Sequence, residues 1–325
     1  MTDYIRVRLE DAEYQIPNRW SLITDEFQYK MLVEDLLAMA EGKLSPAMVR
    51  VNYVCRFFGW KYKRIKGEDA FANLALIAEN VTFIFRICYP DNDKALKGLD
   101  AYTYKLCKLI PPERIHGVTV ARALAKLDYR FAVNLCFCRQ FIPYLTVNGC
   151  HYTAYTIDTS FRTLSSSLTA LQFIEARALI GKGDDLLPLM AAILYHPWPY
   201  SSESAHKLAG DFKSVDKTTL YAISLNFQAF VNYLFTKTEY SLLTAAKAKK
   251  ESAISTGALE SLYNLSADGL GNITQVERMG LLQYLTILRK KVIESVRSLH
   301  TAKMEVVDIA SETGLPYNII KEIIV

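Results

Sequence analysis

Four residues with metal-binding side chains lie near one another in the sequence: Cys136, Cys138, Cys150 and His151. A zinc ion needs four tetrahedral nitrogen or sulfur ligands, usually supplied by CxxC-type pairs. The spacing here does not suit this, because residues two apart point to different sides of a helix and strand neighbours point to opposite faces. We therefore expect no metal site, and free, buried thiols in a reducing compartment.

Nucleophilic catalysis and phosphate binding have equally weak support in the sequence. There is no GxSxG motif, and Ser214-Val-Asp-Lys217 matches SxxK without the companion KTG element. The short glycine turns at 181–183 and 269–271 do not match a phosphate-binding loop. We expect no catalytic residue, no cofactor-binding residue and no cofactor, and a protein that is not an enzyme.

A basic run directly follows three aromatic residues, Phe57, Phe58 and Trp60. Its four members are Lys61, Lys63, Arg64 and Lys66. Cations interleaved with aromatic rings can hold a nucleic-acid backbone and stack its bases, or they can dock against an acidic protein surface. A solvated loop after a helix explains the run equally well, so the sequence leaves these three interpretations open.

The segment from Met304 to Val325 fits the helix-turn-helix template, with a small residue at Ala310, a glycine at 314 and an apolar anchor at Ile320. Its second helix begins at Pro316. That helix offers few polar contacts for reading DNA, so a helical hairpin that packs or docks is favoured. Its candidate contact residues are Tyr317, Asn318 and Lys321.

A rigid aromatic turn, His196-Pro-Trp-Pro199, supplies two more candidate partner contacts, Trp198 and Tyr200. The chain is also rich in tyrosine, with 20 tyrosines against 15 phenylalanines and 3 tryptophans. Tyrosine is enriched at protein interfaces because it buries area while its hydroxyl stays hydrated. Both features hint at association with other proteins.

The elements that position these residues are mostly helices. Apolar residues recur at intervals of three and four, which predicts a mainly α, multi-helix globular fold. Strict alternation predicts one small β-hairpin near residues 4–16, and the Asn148-Gly149 turn predicts a second over 144–157. The expected helices begin at Thr24 and at Ser45-Pro46 and also cover 69–88, 118–142, 161–180, 186–195, 218–237 and 275–300.

Composition is that of an ordinary globular protein. Hydrophobic residues make up 51% and charged residues 22% of the 325 residues, with a net charge of +4, which is weak for a dedicated nucleic-acid binder. The start of the chain does not resemble a signal peptide, and the most apolar stretch, 71–89, is interrupted by polar residues, so we expect no membrane span. We predict three segments: 1–180, 181–303 and a C-terminal helical hairpin, 304–325.

One block of the chain consists of Ile142-Pro-Tyr144, Val147-Asn-Gly149, Ser160-Phe161 and Leu186 to Tyr195 with the following proline-aromatic turn. This block resembles proteins encoded near tail genes of tailed phages and prophages. A second similar stretch runs from Arg19-Trp20 to the Ser45-Pro46 helix, with Trp20-Ser-Leu-Ile-Thr24 in place of the family's Trp-x-x-Leu-Thr. The layout from Phe227 through 274–296 also follows that of the family.

The resemblance implies a non-enzymatic phage protein that acts through protein–protein contacts, as a tail-assembly chaperone or a virion or tail component. It would meet phage structural proteins in the cytoplasm of the bacterial host or in the virion, without secretion or membrane contact; oligomerisation is left open. The alternative is a DNA-binding or packaging-associated protein that uses the C-terminal segment and the run at 61–66.

Overall fold

The structure is a computed structural model that describes residues 3–89, 96, 98–115, 128–160, 163–246 and 257–325. The chain forms two compact units, residues 1–135 and 136–325. This division does not coincide with the three segments expected from the sequence, since the hairpin near residue 150 belongs to the second unit. The mainly helical character is confirmed. The described residues contain four two-stranded antiparallel sheets instead of one or two.

The first unit combines helices with two small sheets. Its described elements are β1 (Tyr4–Leu9), β2 (Ala12–Pro17), α1 (Glu26–Ala40), α2 (Pro46–Phe57), α3 (Glu68–Glu79), β3 (Phe85–Cys88), α4 (Ala101–Cys107) and β4 (Arg130–Val133).

Local sequence explains the first elements of this unit. β1 pairs with β2 in the alternating register expected from the sequence, and this buries Ile5, Val7 and Ile16 on one face. The Asp25 carboxylate accepts two backbone N–H groups at the start of α1, and Ser45 caps α2 with proline next in the chain. Both caps satisfy N–H groups that have no partner inside a helix.

The sheet of β3 and β4 corrects two helix predictions. The helix expected over 69–88 ends at Glu79, and 85–88 is a strand. The helix expected over 118–142 is a strand at 130–133 instead, while residues 116–127 lie outside the described part. In β3, Phe85 and Ile87 are buried and Arg86 is exposed, which is the alternation of a strand with one buried face.

The second unit is built mainly from helices. Its described elements are β5 (Tyr144–Val147), β6 (Cys150–Thr153), β7 (Ile157–Asp158), β8 (Ser165–Ser166), α5 (Ala170–Ala178), α6 (Leu187–Leu194), α7 (Ser202–Phe212), α8 (Lys217–Lys237), α9 (Gly257–Ala267), α10 (Ile273–Glu277), α11 (Leu281–Thr301), α12 (Val306–Thr313) and α13 (Tyr317–Ile324).

The hairpin of β5 and β6 forms around the predicted turn, but it ends at Thr153, and Ile157, which was expected to belong to it, lies in β7. Asn148 and Gly149 both have positive φ, 50° and 80°, which is the backbone shape of the expected two-residue turn. Val147 pairs with Cys150 across it.

Two helices of the second unit differ from their predicted extents. The helix expected over 161–180 begins at Ala170, where Thr169 and Gln172 form a capping box. The helix expected over 275–300 is broken into α10 and α11. At the break, the Ala170 N–H donates to the Met279 carbonyl at 2.8 Å and the Leu281 N–H donates to the Leu168 carbonyl at 2.8 Å. The backbone around 280 therefore pairs with the entry to α5 instead of continuing a helix.

α8 runs through the core of the second unit. Phe227 and Phe230 on this helix are fully buried. The buried Asn226 side chain on the same helix donates to the Arg139 carbonyl at 2.7 Å and accepts from the Phe141 N–H at 2.8 Å. These two hydrogen bonds satisfy the side-chain amide of Asn226, which would otherwise be costly to bury.

Candidate docking surfaces

An aromatic surface lies at the end of α2 in the first unit. It consists of Tyr14, Phe57, Phe58 and Trp60. The rings of Phe58 and Trp60 stack at 4.3 Å with an interplanar angle of 15°, and Tyr14 and Phe57 meet Phe58 edge-on at 5.2 and 5.1 Å. Between 37% and 39% of Tyr14, Phe57 and Trp60 remains exposed. The surface therefore presents mutually fixed rings to solvent.

The C-terminal end of α2 creates this arrangement locally. The chain reverses at Gly59, whose φ of +68° is rarely adopted by residues with a side chain. The Trp60 N–H then donates to the Cys55 carbonyl at 2.8 Å. This reversal, typical of helix C-termini, folds Trp60 back onto Phe58.

The basic turn follows immediately and consists of Lys61, Lys63, Arg64 and Lys66. Residues Tyr62–Arg64 form one turn of 3-10 helix, and all four cations are exposed. No described residue forms an ion pair or hydrogen bond with any of the four side chains. The structure thus brings together the predicted cations and the aromatic residues that precede them.

A groove of about 850 Å³ lies between the aromatic surface and the turn that joins β1 to β2. The turn contributes the exposed acids Glu10 and Asp11 to this groove. One side of the groove is therefore acidic, while the aromatic side continues into the basic turn. Tyr14, which comes from β2, was not anticipated here because only the pairing of β1 with β2 brings it to Phe58.

The aromatic turn after α6 separates its two candidate residues. Trp198 is 70% exposed, as expected of a partner contact. The expectation for Tyr200 is corrected, because only 6% of the residue is exposed and its hydroxyl donates to the Glu175 carboxylate. Burial and this carboxylate raise the pKa of Tyr200. Tyr200 therefore anchors the turn and is withdrawn from the surface.

His196 also anchors this turn, and the sequence analysis did not single it out. Its Nδ1 lies 2.6 Å from the Pro197 carbonyl, and its Nε2 lies 2.6 Å from Ser204 Oγ. Its ring meets Tyr200 edge-on at 5.1 Å.

The C-terminal segment forms two short helices joined by a glycine turn. Gly314, with φ of +71°, ends α12 in the left-handed conformation, and α13 begins three residues later. Ile309, Leu315 and Ile320 are buried in one cluster with Val296 of α11. Tyr317, Asn318 and Lys321 lie exposed on α13, and the Lys321 ammonium lies 4.8 Å from the centroid of the Tyr317 ring.

The exposed charges of this hairpin are mostly negative. Residues 304–325 contain four carboxylates, Glu305, Asp308, Glu312 and Glu322, against one lysine, and all four carboxylates are exposed. DNA-binding proteins hold phosphates mainly with lysine and arginine. This surface opposes that chemistry.

The potential metal ligands are dispersed. All six cysteines are free thiols; Cys55 and Cys107 are buried, whereas Cys150 is exposed, contrary to the expectation that all are buried. The described residues include no group of three or more His, Cys, Asp or Glu side chains that could hold an ion.

Comparison with known proteins found no family model, no curated protein and no solved structure that matches this chain. In the part of the chain that the structure describes, no helix combines the length and apolar character needed to cross a membrane.

Proposed function

We propose that this protein acts without catalysis, through protein–protein contacts, as a tail-assembly factor or virion component of a tailed phage. Its aromatic surface and basic turn bind a partner segment that carries apolar side chains followed by acidic ones. The phage setting is supported by the sequence resemblance, and the docking chemistry by the geometry of the first unit.

The observation that carries this proposal is the stacked pair of Phe58 and Trp60, held in place on a half-exposed surface. Aromatic residues dominate the binding energy of protein interfaces when they are rigid and central. Ordering free side chains on binding costs conformational entropy. Rings that already contact one another at 4.3–5.2 Å have lost most of that freedom before the partner arrives.

The charges around the aromatic surface define the partner's polarity. Four cations follow Trp60, while Glu10 and Asp11 line the other side of the groove. A partner segment with its acids on the side of the basic turn gains attraction there and avoids repulsion from the acidic side. This asymmetry selects one direction of the bound segment.

The test uses a fluorescent peptide in which Leu-Phe-Leu precedes four glutamates, with matched peptides that carry four lysines or have the glutamates first. We expect the first peptide to bind most tightly. Trp60→Ala should weaken that binding about 30-fold, the effect of a typical hot-spot aromatic residue. Trp198→Ala, which removes an exposed tryptophan of the second unit, is the control and should leave the affinity unchanged.

Equal affinity for the three peptides, or an unchanged affinity in Trp60→Ala, would contradict the docking proposal. The phage setting is tested independently by the neighbouring genes. A position between a tail-tube gene and a tape-measure gene supports it, and a replication or repressor neighbourhood counts against it.

The glycine turn between α12 and α13 is the observation behind one alternative, DNA binding. A short duplex oligonucleotide tests it, because contacts to phosphates make affinity fall steeply with salt. The four exposed carboxylates of the hairpin predict no such binding through α13. If binding does occur and is lost in Lys321→Ala but retained in Lys63→Ala, the alternative replaces the proposal.

A further inference from the structure

Arg50 on α2 is a buried cation. Only 7% of the residue is exposed. Its guanidinium carbon lies 5.4 Å from the ring centroid of Phe85 and 5.1 Å from that of Phe131. These rings attract and position the cation, but they accept no conventional hydrogen bond from it.

The guanidinium has no counter-ion among the residues that the structure describes. Its Nε is buried without a hydrogen-bond partner, and two carboxylates of this unit that could have paired with it are engaged with other arginines. Asp35 pairs with Arg56, and Glu79 pairs with Arg114. A buried charge normally needs hydrogen bonds and an opposite charge to compensate for lost hydration, so Arg50 lacks the partner that its burial calls for.

Arg50 opens onto a cleft of about 790 Å³, called here the Arg50 cleft. One face of α2 and one face of α3 line it, together with residues 109–114. Apart from Arg50, the α2 wall is formed by Ala47 and Val51, and Leu76 projects from α3 with 60% of its surface exposed. The walls are therefore largely apolar around one deep cation.

The other charged groups of this cleft already have partners. Arg114 and Glu79 form an ion pair, and Glu113 accepts a hydrogen bond from the Tyr129 hydroxyl at 3.3 Å. Burial, aided by the nearby Arg114, lowers the pKa of Arg50 to about 10. Arg50 therefore stays cationic at neutral pH and forms no ion pair with any residue that the structure describes.

We propose that the Arg50 cleft binds a carboxylate carried on an apolar group, with the Arg50 guanidinium donating hydrogen bonds to both carboxylate oxygens. The planar fork of arginine matches a carboxylate in this way. The apolar walls bury the group that carries the carboxylate. This site is separate from the aromatic surface and does not depend on the function proposed above.

Calorimetric titration of the full chain with octanoate tests the site, with octanol and inorganic phosphate as comparisons. Octanoate should bind, whereas octanol lacks the charge and phosphate lacks the apolar group. A blocked Leu-Glu-Leu peptide separates two sources of the same chemistry. Tighter binding of the peptide than of octanoate identifies an acidic side chain of a protein segment, and the reverse identifies a free organic acid.

Arg50→Met should weaken octanoate binding at least about tenfold, since it removes charge-assisted hydrogen bonds. Arg50→Lys keeps the charge but loses the planar fork of the guanidinium. Its affinity for octanoate should therefore lie between the affinities of the unmodified protein and of Arg50→Met. Arg8→Met, which removes an exposed arginine of β1 outside both proposed sites, is the matched control and should leave octanoate binding unchanged. Conversely, Arg50→Met should leave peptide binding to the aromatic surface unchanged, so the two proposals can fail separately.

Three results would each overturn the proposal: octanoate does not bind to the unmodified protein; phosphate or octanol binds as tightly as octanoate; or Arg50→Met and Arg50→Lys bind octanoate as the unmodified protein does. The first two need no variant, so the test stands even if a substitution prevents folding.

Discussion

The first unit combines cations with aromatic rings in two ways. In the basic turn the cations are exposed and the neighbouring rings of the aromatic surface are half-exposed. In the Arg50 cleft the cation is buried between two rings and lacks a counter-ion among the described residues. Water screens the exposed cations of the basic turn and leaves the buried Arg50 largely unscreened. The basic turn therefore gives long-range, salt-sensitive attraction, and Arg50 gives short-range recognition of one group.

The largest expected effect concerns the free energy of unfolding. Arg50→Met should raise it by about 2 kcal/mol, because an apolar side chain of similar length replaces a buried, uncompensated charge. Lys63→Met, the same change at an exposed cation, should alter it by less than about 0.5 kcal/mol. Urea unfolding of the three proteins measures this difference. A loss of stability in Arg50→Met would mean that the contacts with Phe85 and Phe131 outweigh the cost of burying the charge.

Next in size is the response of the basic turn to salt. Lys63→Glu combined with Arg64→Glu should weaken binding of the acidic peptide about tenfold at low ionic strength, because both cations lie on the partner's acidic side. In roughly 0.5 M salt the difference should shrink to about twofold. Octanoate binding at the Arg50 cleft should change little over the same range. If both bindings weaken equally with salt, the distinction between screened and buried cations does not hold.

The rings beside the buried cation and those beside the exposed cations should also differ in their contribution to the free energy of unfolding. Phe131→Leu should lower the free energy of unfolding by about 1 kcal/mol, since it removes one face of the Arg50 cation–π pair and ring contacts with Phe85 and Tyr129. Phe57→Leu on the aromatic surface should change it by less than about 0.5 kcal/mol. Thermal unfolding measures both changes. Equal losses of stability in Phe131→Leu and Phe57→Leu would contradict the expected difference between the two sets of rings.

The smallest expected effect is on pH dependence. Burial, aided by Arg114, lowers the pKa of Arg50 from 12.5 to about 10. Between these values the unfolded chain holds a proton that the folded chain has released, so stability rises with pH as it passes about 10. The stability advantage of Arg50→Met should therefore narrow by about 1 kcal/mol or less between pH 8 and 10.5. A constant difference across this range would show that burial does not shift the titration of Arg50.

Local sequence was enough to predict the elements whose structure depends on near neighbours. The turn at Asn148 and Gly149, the alternation of β1 and the Ser45 cap of α2 all follow from residues within a few positions. The cap of α1 was expected at Thr24 and lies one residue later, at Asp25. The aromatic surface was largely visible for the same reason, because Phe57, Phe58 and Trp60 are close in the chain. Tyr14 was not, since it reaches Phe58 through the pairing of β1 with β2.

Elements that depend on distant partners were predicted wrongly or missed. A four-residue segment such as 85–88 is too short for its periodicity to separate a strand from part of a helix. Its identity as β3 is decided by pairing with β4, about 45 residues later in the chain. In the same way, the sequence suggested that Tyr200 is a surface residue, whereas its hydroxyl donates to Glu175 on α5, 25 residues earlier in the chain.

Arg50 shows most clearly what the local sequence cannot predict. Its neighbours Val49 and Val51 are buried, so an arginine between them could have been noticed as a charge in an apolar setting. Nothing local shows that two rings from β3 and β4 would enclose it, or that Asp35 and Glu79 would pair with other arginines.

The sequence by itself determined the helical class, both predicted hairpins and the clustering of four cations behind three aromatic residues, because each depends on contacts between near neighbours. Tertiary structure alone decided which charges are hydrated and which are buried, as the packing of Phe85 and Phe131 over Arg50 illustrates. The physical reason is that hydration depends on everything packed around a group, and most of those atoms come from distant parts of the chain.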